Sequence, residues 1–376
     1  MPSLQRALHD GYSWLNQLVG RDLIKRTEVP VDHQWETTRL LTGENARLDN
    51  SLESQFYHSA DTLSQYRCPA VDLHHLKNVW LASDSGQIFF DDGSMFDVCQ
   101  TNPKQYARKI RRPIRWGARK VNDTLFHLTG RNHENRGHFV LQHIPRLLAG
   151  MECNPRFGKM KLLLAPGHTR WQSELLSVLG VSPDQIVEGT KGTLHAGDLF
   201  YAPQFAGKNG LVPPKYYVSF QHAAWKFAGV QPGSPKTTKV LFVSRADAPD
   251  KRLLNEAEII GILAKTLGGV EVVNLRGMSL ADQIRKFATA AIVIGPMGQG
   301  LTNVLYATRS TVIILDAGTE LPKNWSIGFR DLAVSTGNRA IRLISGTSYD
   351  SNRNWHFPAD RFSKSLRELS GVLQLS

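Results

Sequence analysis

"KVLFVSRADAPDKRLLNEAE", Lys239 to Glu258, holds the pattern from which the fold is read. Val240–Val243 is an unbroken apolar run, the mark of a strand covered on both faces. A charged loop follows, then a helix expected to start at Asn255, whose side chain caps it while Glu258 reaches back. The alternation repeats downstream. Val270–Val273 precedes a helix capped by Ser279 with Leu280, Ile284, Phe287 and Ala288 on one face. Ala291–Ile294 runs into a glycine-rich loop and a helix, and Thr311–Leu315 and Ala340–Leu343 complete the strands. Such alternation specifies a parallel sheet with helices on both sides. A last helix, from Asp360, puts Phe362, Leu366, Leu369 and Leu373 on one stripe.

Upstream, "QPGSPKTT" (Gln231–Thr238) is the clearest linker. Before it, strand Leu162–Ala165, helix Trp171–Leu179 and strand Gln185–Val187 make one βαβ unit. "DLFYAP" adds a strand and "PPKYYVSFQHAAWKFAGV" a helix. In "GHFVLQHIPRLLAG" the apolar residues recur at helical spacing, with Pro145 forcing a bend or a fresh start. Two short strands are expected at Val79–Ala82 and Gln87–Phe90. The chain therefore reads as α/β, with two Rossmann-like lobes in tandem and a cleft between them. The expected divisions are a helical or irregular extension 1–75, a first lobe 76–230, the linker 231–238, a second lobe 239–350 and a C-terminal helix 351–376.

A chain of 376 residues exceeds one ordinary core, and 41% hydrophobic content belongs to a globular protein. No stretch reaches the roughly 18 consecutive apolar residues of a membrane span. Arg6, His9 and Asp10 interrupt the first twenty residues, unlike the apolar centre of a signal peptide. Cys68, Cys99 and Cys153 form no metal-ligand spacing and suit a reducing cytoplasm. The formal net charge of +12 calls for an anionic partner. Lys104–Lys120 holds eight Lys or Arg in seventeen residues and no acid, either a solvated face or a patch for peripheral contact with an anionic membrane surface. No nucleic-acid motif is present, so nucleic acid is not an expected partner.

Candidate chemistry gathers at strand ends. Ser244 and Arg245 follow a buried strand, where a guanidinium can hold a phosphate by two parallel hydrogen bonds. Pairing of Arg245 with Asp247 or Asp250 is the alternative. In "GPMGQGLTN" (Gly295–Asn303), Gly298 and Gly300 allow close backbone approach, and a helix beginning near Leu301 offers unpaired N–H groups to an anion. Asn303 stands where the dinucleotide fingerprint has its third glycine, and a plain tight turn remains open. In the first lobe, Glu134, His138 and His143 are the groups able to move a proton, with His138 at the rim position after Gly137. No metal-binding motif is seen, and none is expected.

Three segments resemble glycosyltransferase family 61. "VLFVSRADAPDKRLLNEAEI" is similar to its strand-Ser-Arg and Arg-x-x-Asn-Glu signatures, and "SLADQIRKFATAAIVIGPMGQGLTNVLYA" to its glycine-rich loop running into Leu-Thr-Asn. "GHFVLQHIPRLL" resembles its first-lobe His-aromatic and Leu-Pro-Arg-Leu segment, and "WQSELLSVLGV" its Trp-Gln helix. The resemblance covers about residues 77–345. It implies an inverting, metal-independent transferase of GT-B architecture from the bacterial polysaccharide-biosynthesis branch. No cofactor is implied beyond a nucleotide-sugar donor, UDP-linked by expectation, and the acceptor is a glycan or lipid-linked saccharide. Carried over by match, Ser244, Arg245, Arg252, Asn255, Glu256, Gly298, Gln299, Gly300, Leu301, Thr302 and Asn303 shape the donor site. His138 or Glu134 serves as base, and His143 and Arg146 lie on the acceptor side. The family has His where Met297 stands and Asp where Gln142 stands, so an inactive member that binds a nucleotide or polyanion is the rival reading. The expected setting is cytoplasmic, at the inner face of the plasma membrane.

Overall fold

The fold is that of a computed structural model, which describes residues 35–41, 45–47, 65–67, 71–82, 86–94, 96, 117–130, 132–203, 212–318 and 325–370. The basic run Lys104–Lys120 lies outside them except for its last four residues.

The first half builds a mixed sheet from strands β1 (Trp35–Leu41), β4 (Val71–Ala82), β5 (Gln87–Phe89), β6 (Arg119–His127), β7 (Lys161–Leu164), β8 (Ile186–Glu188) and β9 (Thr193–Tyr201). A separate antiparallel pair joins β2 (Asn45–Arg47) to β3 (Gln65–Arg67). The order is β1-β4-β9-β6-β7-β8, with β5 against β4. Strands β9, β6, β7 and β8 run parallel, whereas β1, β4 and β5 are joined by antiparallel pairings. This corrects two expectations. The first sheet is not a second all-parallel one, and the extension 1–75 contributes β1, which pairs with β4, where helix or irregular chain was expected.

Between β6 and β7 lie helix α1 (Arg136–His138), a π-helical turn Phe139–His143 and helix α2 (Ile144–Cys153). Pro145 explains the wide turn: lacking an N–H, it cannot donate to Leu141 four residues back. The Tyr217 hydroxyl donates to that Leu141 carbonyl instead, at 3.2 Å. Helices α3 (Arg170–Ser177) and α4 (Pro214–Ala228) complete this half.

The second half is the expected parallel sheet. Strands β10 (Thr238–Val243), β11 (Val270–Val273), β12 (Ala290–Pro296), β13 (Thr311–Gly318) and β14 (Arg339–Thr347) stand in the order β11-β10-β12-β13-β14. Helices α5 (Glu256–Leu267), α6 (Leu280–Ala288), α7 (Trp325–Ser335) and α8 (Ala359–Ser370) accompany them. Alternation divides β10 between two cores. Val240 and Phe242 pack with Ile259 and Leu263 of α5 and with Phe362, Leu366 and Leu369 of α8. Leu241 and Val243 face the opposite core. Phe242 is fully enclosed, and burial of such a side chain stabilises by roughly 1.5–3 kcal/mol.

That opposite core does not end with the second sheet. It runs from Val243, Val293 and Ile314 through Phe220, Ala224 and Trp225 of α4 to Ile144 and Leu147 of α2 and Phe126 of β6. The two sheets are therefore packed through shared helices into one continuous core, rather than parted along their whole contact by the expected cleft. The C-terminal segment is likewise integral. Leu253 bridges to Trp355, and backbone bonds link Leu254 N–H to Trp355 O and Trp355 N–H to Arg252 O.

No helix among the described residues is long and apolar enough to cross a membrane.

Candidate active site

In the second sheet the chain leaves β10 toward β11 on one side and returns to β12 on the other. Ligands of open α/β sheets bind beyond the carboxyl ends of the strands at such a reversal. Two of the sequence candidates sit there. Arg245 follows β10, and Gly298 follows the adjacent β12.

They touch. A Cβ on Gly298 would stand 1.9 Å from Arg245 Nη1 and 2.6 Å from its Cζ, so the guanidinium lies flat against the glycine backbone. With φ at 170°, Gly298 is in extended backbone open to any residue, and the glycine is required by contact, not conformation. Gly300 is crowded too, its Cβ falling 3.0 Å from Val243 Cγ1 and 3.3 Å from Leu275 Cδ1. Past Gly298 the chain forms a 3-10 turn, Gln299–Tyr306, where a helix near Leu301 was expected. Its first internal bond runs from Leu301 N–H to Gly298 O, so the Gln299 and Gly300 amides precede the bonded part of the turn.

Arg245 is held in place by Asp250. Its side chain is 14% exposed, Nη2 donates to the Asp250 carbonyl at 3.1 Å, and the Asp250 carboxylate stands 4.0 Å away. Nε is buried with no hydrogen-bond partner. Of the rival partners, Asp247 is paired with Arg276 at 3.1 Å, whereas Asp250 is shared between Arg353 at 3.3 Å and Arg245 at 4.0 Å, so the alternative pairing of Arg245 with Asp250 is present. Burial pulls the Arg245 pKa below an arginine's ordinary value, against the pull of Asp250 and Asp247. A largely buried guanidinium suits an anion, because charge-assisted bonds are strongest away from water. The same strand ends carry further charge. Arg342 of β14 pairs through two nitrogens with the buried Asp316 of β13. The Tyr349 phenol is pushed up to about 12 by burial first and Asp316 second, with Arg353, Arg342 and Arg245 opposing.

Several candidates prove to be scaffolding. Glu256 is buried and accepts from the Ser244 hydroxyl and the Arg245 N–H, which fixes the loop carrying the guanidinium. Ser244 Oγ in turn accepts from Ala246 N–H, so the hydroxyl is used locally. Asn255 sits at the N-cap but makes no side-chain cap bond, because the Phe357 backbone claims its amide: Nδ2 donates to Phe357 O and Oδ1 accepts from Phe357 N–H. Its Nδ2 also donates to Glu258, so the expected reciprocal cap is replaced by a clasp on the C-terminal segment. Arg252 gives its N–H and Nε to Asn354. Leu301, Thr302 and Asn303 are buried, leaving Gln299 as the exposed side chain of the turn.

The first-half candidates divide sharply. His143 and Arg146 are fully enclosed, so they cannot meet an acceptor, which corrects their assignment. Arg146 donates from Nε to Ala202 O, from Nη2 to His127 O and from Nη1 to His143 Nδ1, tying α2 to the carboxyl ends of β6 and β9. His138 is half-buried, and its N–H bonds the Asn135 side chain that caps α1. The preceding Gly137 sits against the turn, its Cβ position 3.4 Å from Thr302 Cγ2 and 3.9 Å from Gln299 Cγ. Glu134 points outward, 70% exposed and 3.6 Å from His133. The structure thus brings Arg245, the glycine turn and the His138 segment together and leaves Glu134 at the surface. Among the described residues no three His, Cys, Asp or Glu are grouped to hold a metal.

Replacement of Gly298 by alanine tests the contact. No backbone strain follows, so stability should change by less than about 1 kcal/mol, while the methyl evicts Arg245. Affinity for a nucleoside diphosphate should then fall as far as in Arg245→Ala, and the double variant should be no worse than either. Additive losses in isothermal titration would separate the two residues.

A family profile described as Glycosyltransferase 61 matches residues 137–314. The chain is similar to a beta-1,2-xylosyltransferase from Arabidopsis thaliana, 34% identical over 100 residues, spanning 21% of this chain and 19% of that protein. The match thus covers about a fifth of that relative's length. Among solved structures, a rubredoxin oxygen:oxidoreductase from Desulfovibrio gigas aligns over 64% of this chain and 52% of that one, at 8% identity and a TM-score of 0.26.

Proposed function

Residues 137–314 make this chain a member of glycosyltransferase family 61, and on that premise we propose that it is an inverting, metal-independent glycosyltransferase. Its donor is a nucleotide sugar, UDP-linked, and its acceptor a hydroxyl of a glycan or lipid-linked saccharide. The two halves act as the lobes of a GT-B enzyme in surface-polysaccharide assembly at the cytoplasmic membrane face. The observation that carries the reading is the contact of Arg245 with Gly298 at the reversal of strand order.

In this reaction the acceptor oxygen attacks the anomeric carbon from the face opposite the diphosphate. The bond from that carbon to the phosphate oxygen breaks, and its electrons leave on the diphosphate. Arg245, with the amides of Gln299 and Gly300, stabilises the charge that develops there. His138 takes the acceptor proton as general base.

Arg245→Ala tests the donor site. Loss of a charge-assisted phosphate contact in a largely buried setting costs on the order of 2–3 kcal/mol, so UDP should bind at least about tenfold more weakly. Titration in EDTA should give the parent affinity unchanged. Equal affinity in variant and parent removes the phosphate assignment, and a strict need for Mg²⁺ or Mn²⁺ removes the metal-independent mechanism. Retained UDP binding without release of UDP from any sugar nucleotide assigns the chain to the inactive, nucleotide-binding reading.

A further inference from the structure

Arg136 opens the helix that carries His138, yet its guanidinium is used in the other half of the molecule. Nη2 donates to Gln283 Oε1 at 2.9 Å and stands 3.5 Å from Asn303 Oδ1. Burial raises the Tyr306 phenol pKa, and the Arg136 guanidinium draws it down. All three partners are buried, and Asn303 Nδ2 donates to the same Gln283 oxygen at 3.2 Å. Asn303 and Tyr306 belong to the 3-10 turn whose other end is Gly298–Gly300. The carboxyl end of that turn is gripped from the first half as well, where Gln221 donates to Leu305 O and Ala307 O and Trp225 to Tyr306 O.

The two grips differ in what they carry. Gln221 and Trp225 satisfy carbonyls that a short helix leaves without partners, which is packing between helices. Arg136 lies two residues before His138 and next to Gly137, which itself rests on Thr302 and Gln299. A fixed fork of N–H groups can span Gln283, Asn303 and Tyr306 at once, whereas a lysine ammonium is a single point. We propose that Arg136 is a positioning residue: it fixes the distance from His138 to the turn that holds the donor diphosphate. The proposal rests on the transferase reading above and adds the device that aligns its two halves.

The test uses the full chain, with UDP as binding probe and UDP release from a panel of UDP-sugars as turnover. A shift of about 1 Å in a catalytic group costs roughly 10²-fold in rate, so Arg136→Ala should lose about that much kcat. UDP affinity should stay within about threefold of the parent, because Arg245 and Gly298 are untouched. Arg136→Lys should recover little of the rate. Gln283→Met, which removes the acceptor at similar volume, should reproduce part of the loss, and its effect should vanish in the Arg136→Ala background. The pH limb set by the base should persist at reduced height in each variant. If Arg136→Ala does not fold, the lysine and Gln283→Met variants carry the same comparison.

A kcat above about a third of the parent in Arg136→Lys and Gln283→Met overturns the proposal. So does a loss of UDP affinity as large as that in Arg245→Ala, which would make Arg136 a donor-site residue. Failure of the donor-site assignment looks different, because there Arg245→Ala leaves UDP binding unchanged whatever Arg136 does. A parent protein that binds UDP but turns over none of the panel overturns both.

Discussion

His138→Ala should lower turnover by about 10²–10⁴-fold while UDP affinity stays at the parent value, the range expected when a general base is removed. The placement of the residue motivates the expectation. Asn135 caps the helix that presents His138, and Gly137 presses the same backbone against Thr302 and Gln299 of the donor turn. Imidazole is the side chain that exchanges a proton most readily near neutral pH. Glu134 is the control, because its carboxylate is 70% exposed and paired with His133. Glu134→Ala should keep more than about a third of the parent rate, as a surface substitution does. If the losses are reversed, Glu134 is the base and His138 only packs. If both variants stay active, the proton leaves by another route.

His127 should make the protein acid-labile, by up to about 4–5 kcal/mol between pH 6.5 and pH 3. Its ring is fully buried at the carboxyl end of β6, where neither nitrogen makes a well-formed hydrogen bond and the backbone of His127 and Gly86 raises its pKa only in part. Burial first, and the Arg146 cation second, lower its pKa from 6.5 to about 3. Below pH 6.5 the unfolded chain takes up a proton at this histidine that the folded chain refuses, so falling pH favours unfolding. The contribution is fully present above 6.5, declines by about 1.4 kcal/mol for each pH unit, and is gone near pH 3. His127→Phe, of similar shape and without the orphaned nitrogens, should therefore be closer to the parent in stability at pH 7 than at pH 4.5, where it should be the more stable of the two. Urea unfolding of both proteins at several pH values measures the difference. Parallel stability curves would mean that His127 finds a proton partner in the folded state.

Much of the second sheet was legible along the chain. A strand covered on both faces must be apolar throughout, and a helix covering it must repeat its apolar residues near every fourth position, so β10 to β14 and α8 are local statements. The break at Pro145 is local for the same reason, since a missing N–H acts within one helical turn. Arg245 and the glycine loop could be marked because strand ends and glycines are visible in the chain order.

The roles of the remaining polar residues were not legible, because polarity does not say which way a side chain turns. His143 and Arg146 carry the same functional groups as a catalytic His and a phosphate-binding Arg, but Arg146 is spent on carbonyls at the ends of β6 and β9 and His143 on Arg146. Asn255 has the residue type of a cap, and the Phe357 backbone, about a hundred positions away in the chain, takes its amide. Arg136 gave no signal, because its three partners lie between 147 and 170 positions downstream.

The sequence by itself thus determined the strands of the second sheet and which residue types stand near their ends. Tertiary structure alone decided which ends meet. Arg245 and Gly298 are 53 positions apart (298 − 245), and they touch because β10 and β12 are neighbours in the sheet although β11 lies between them in the chain. Strand order is set by the burial of both sheet faces at once, which is a property of the whole core and of no single segment.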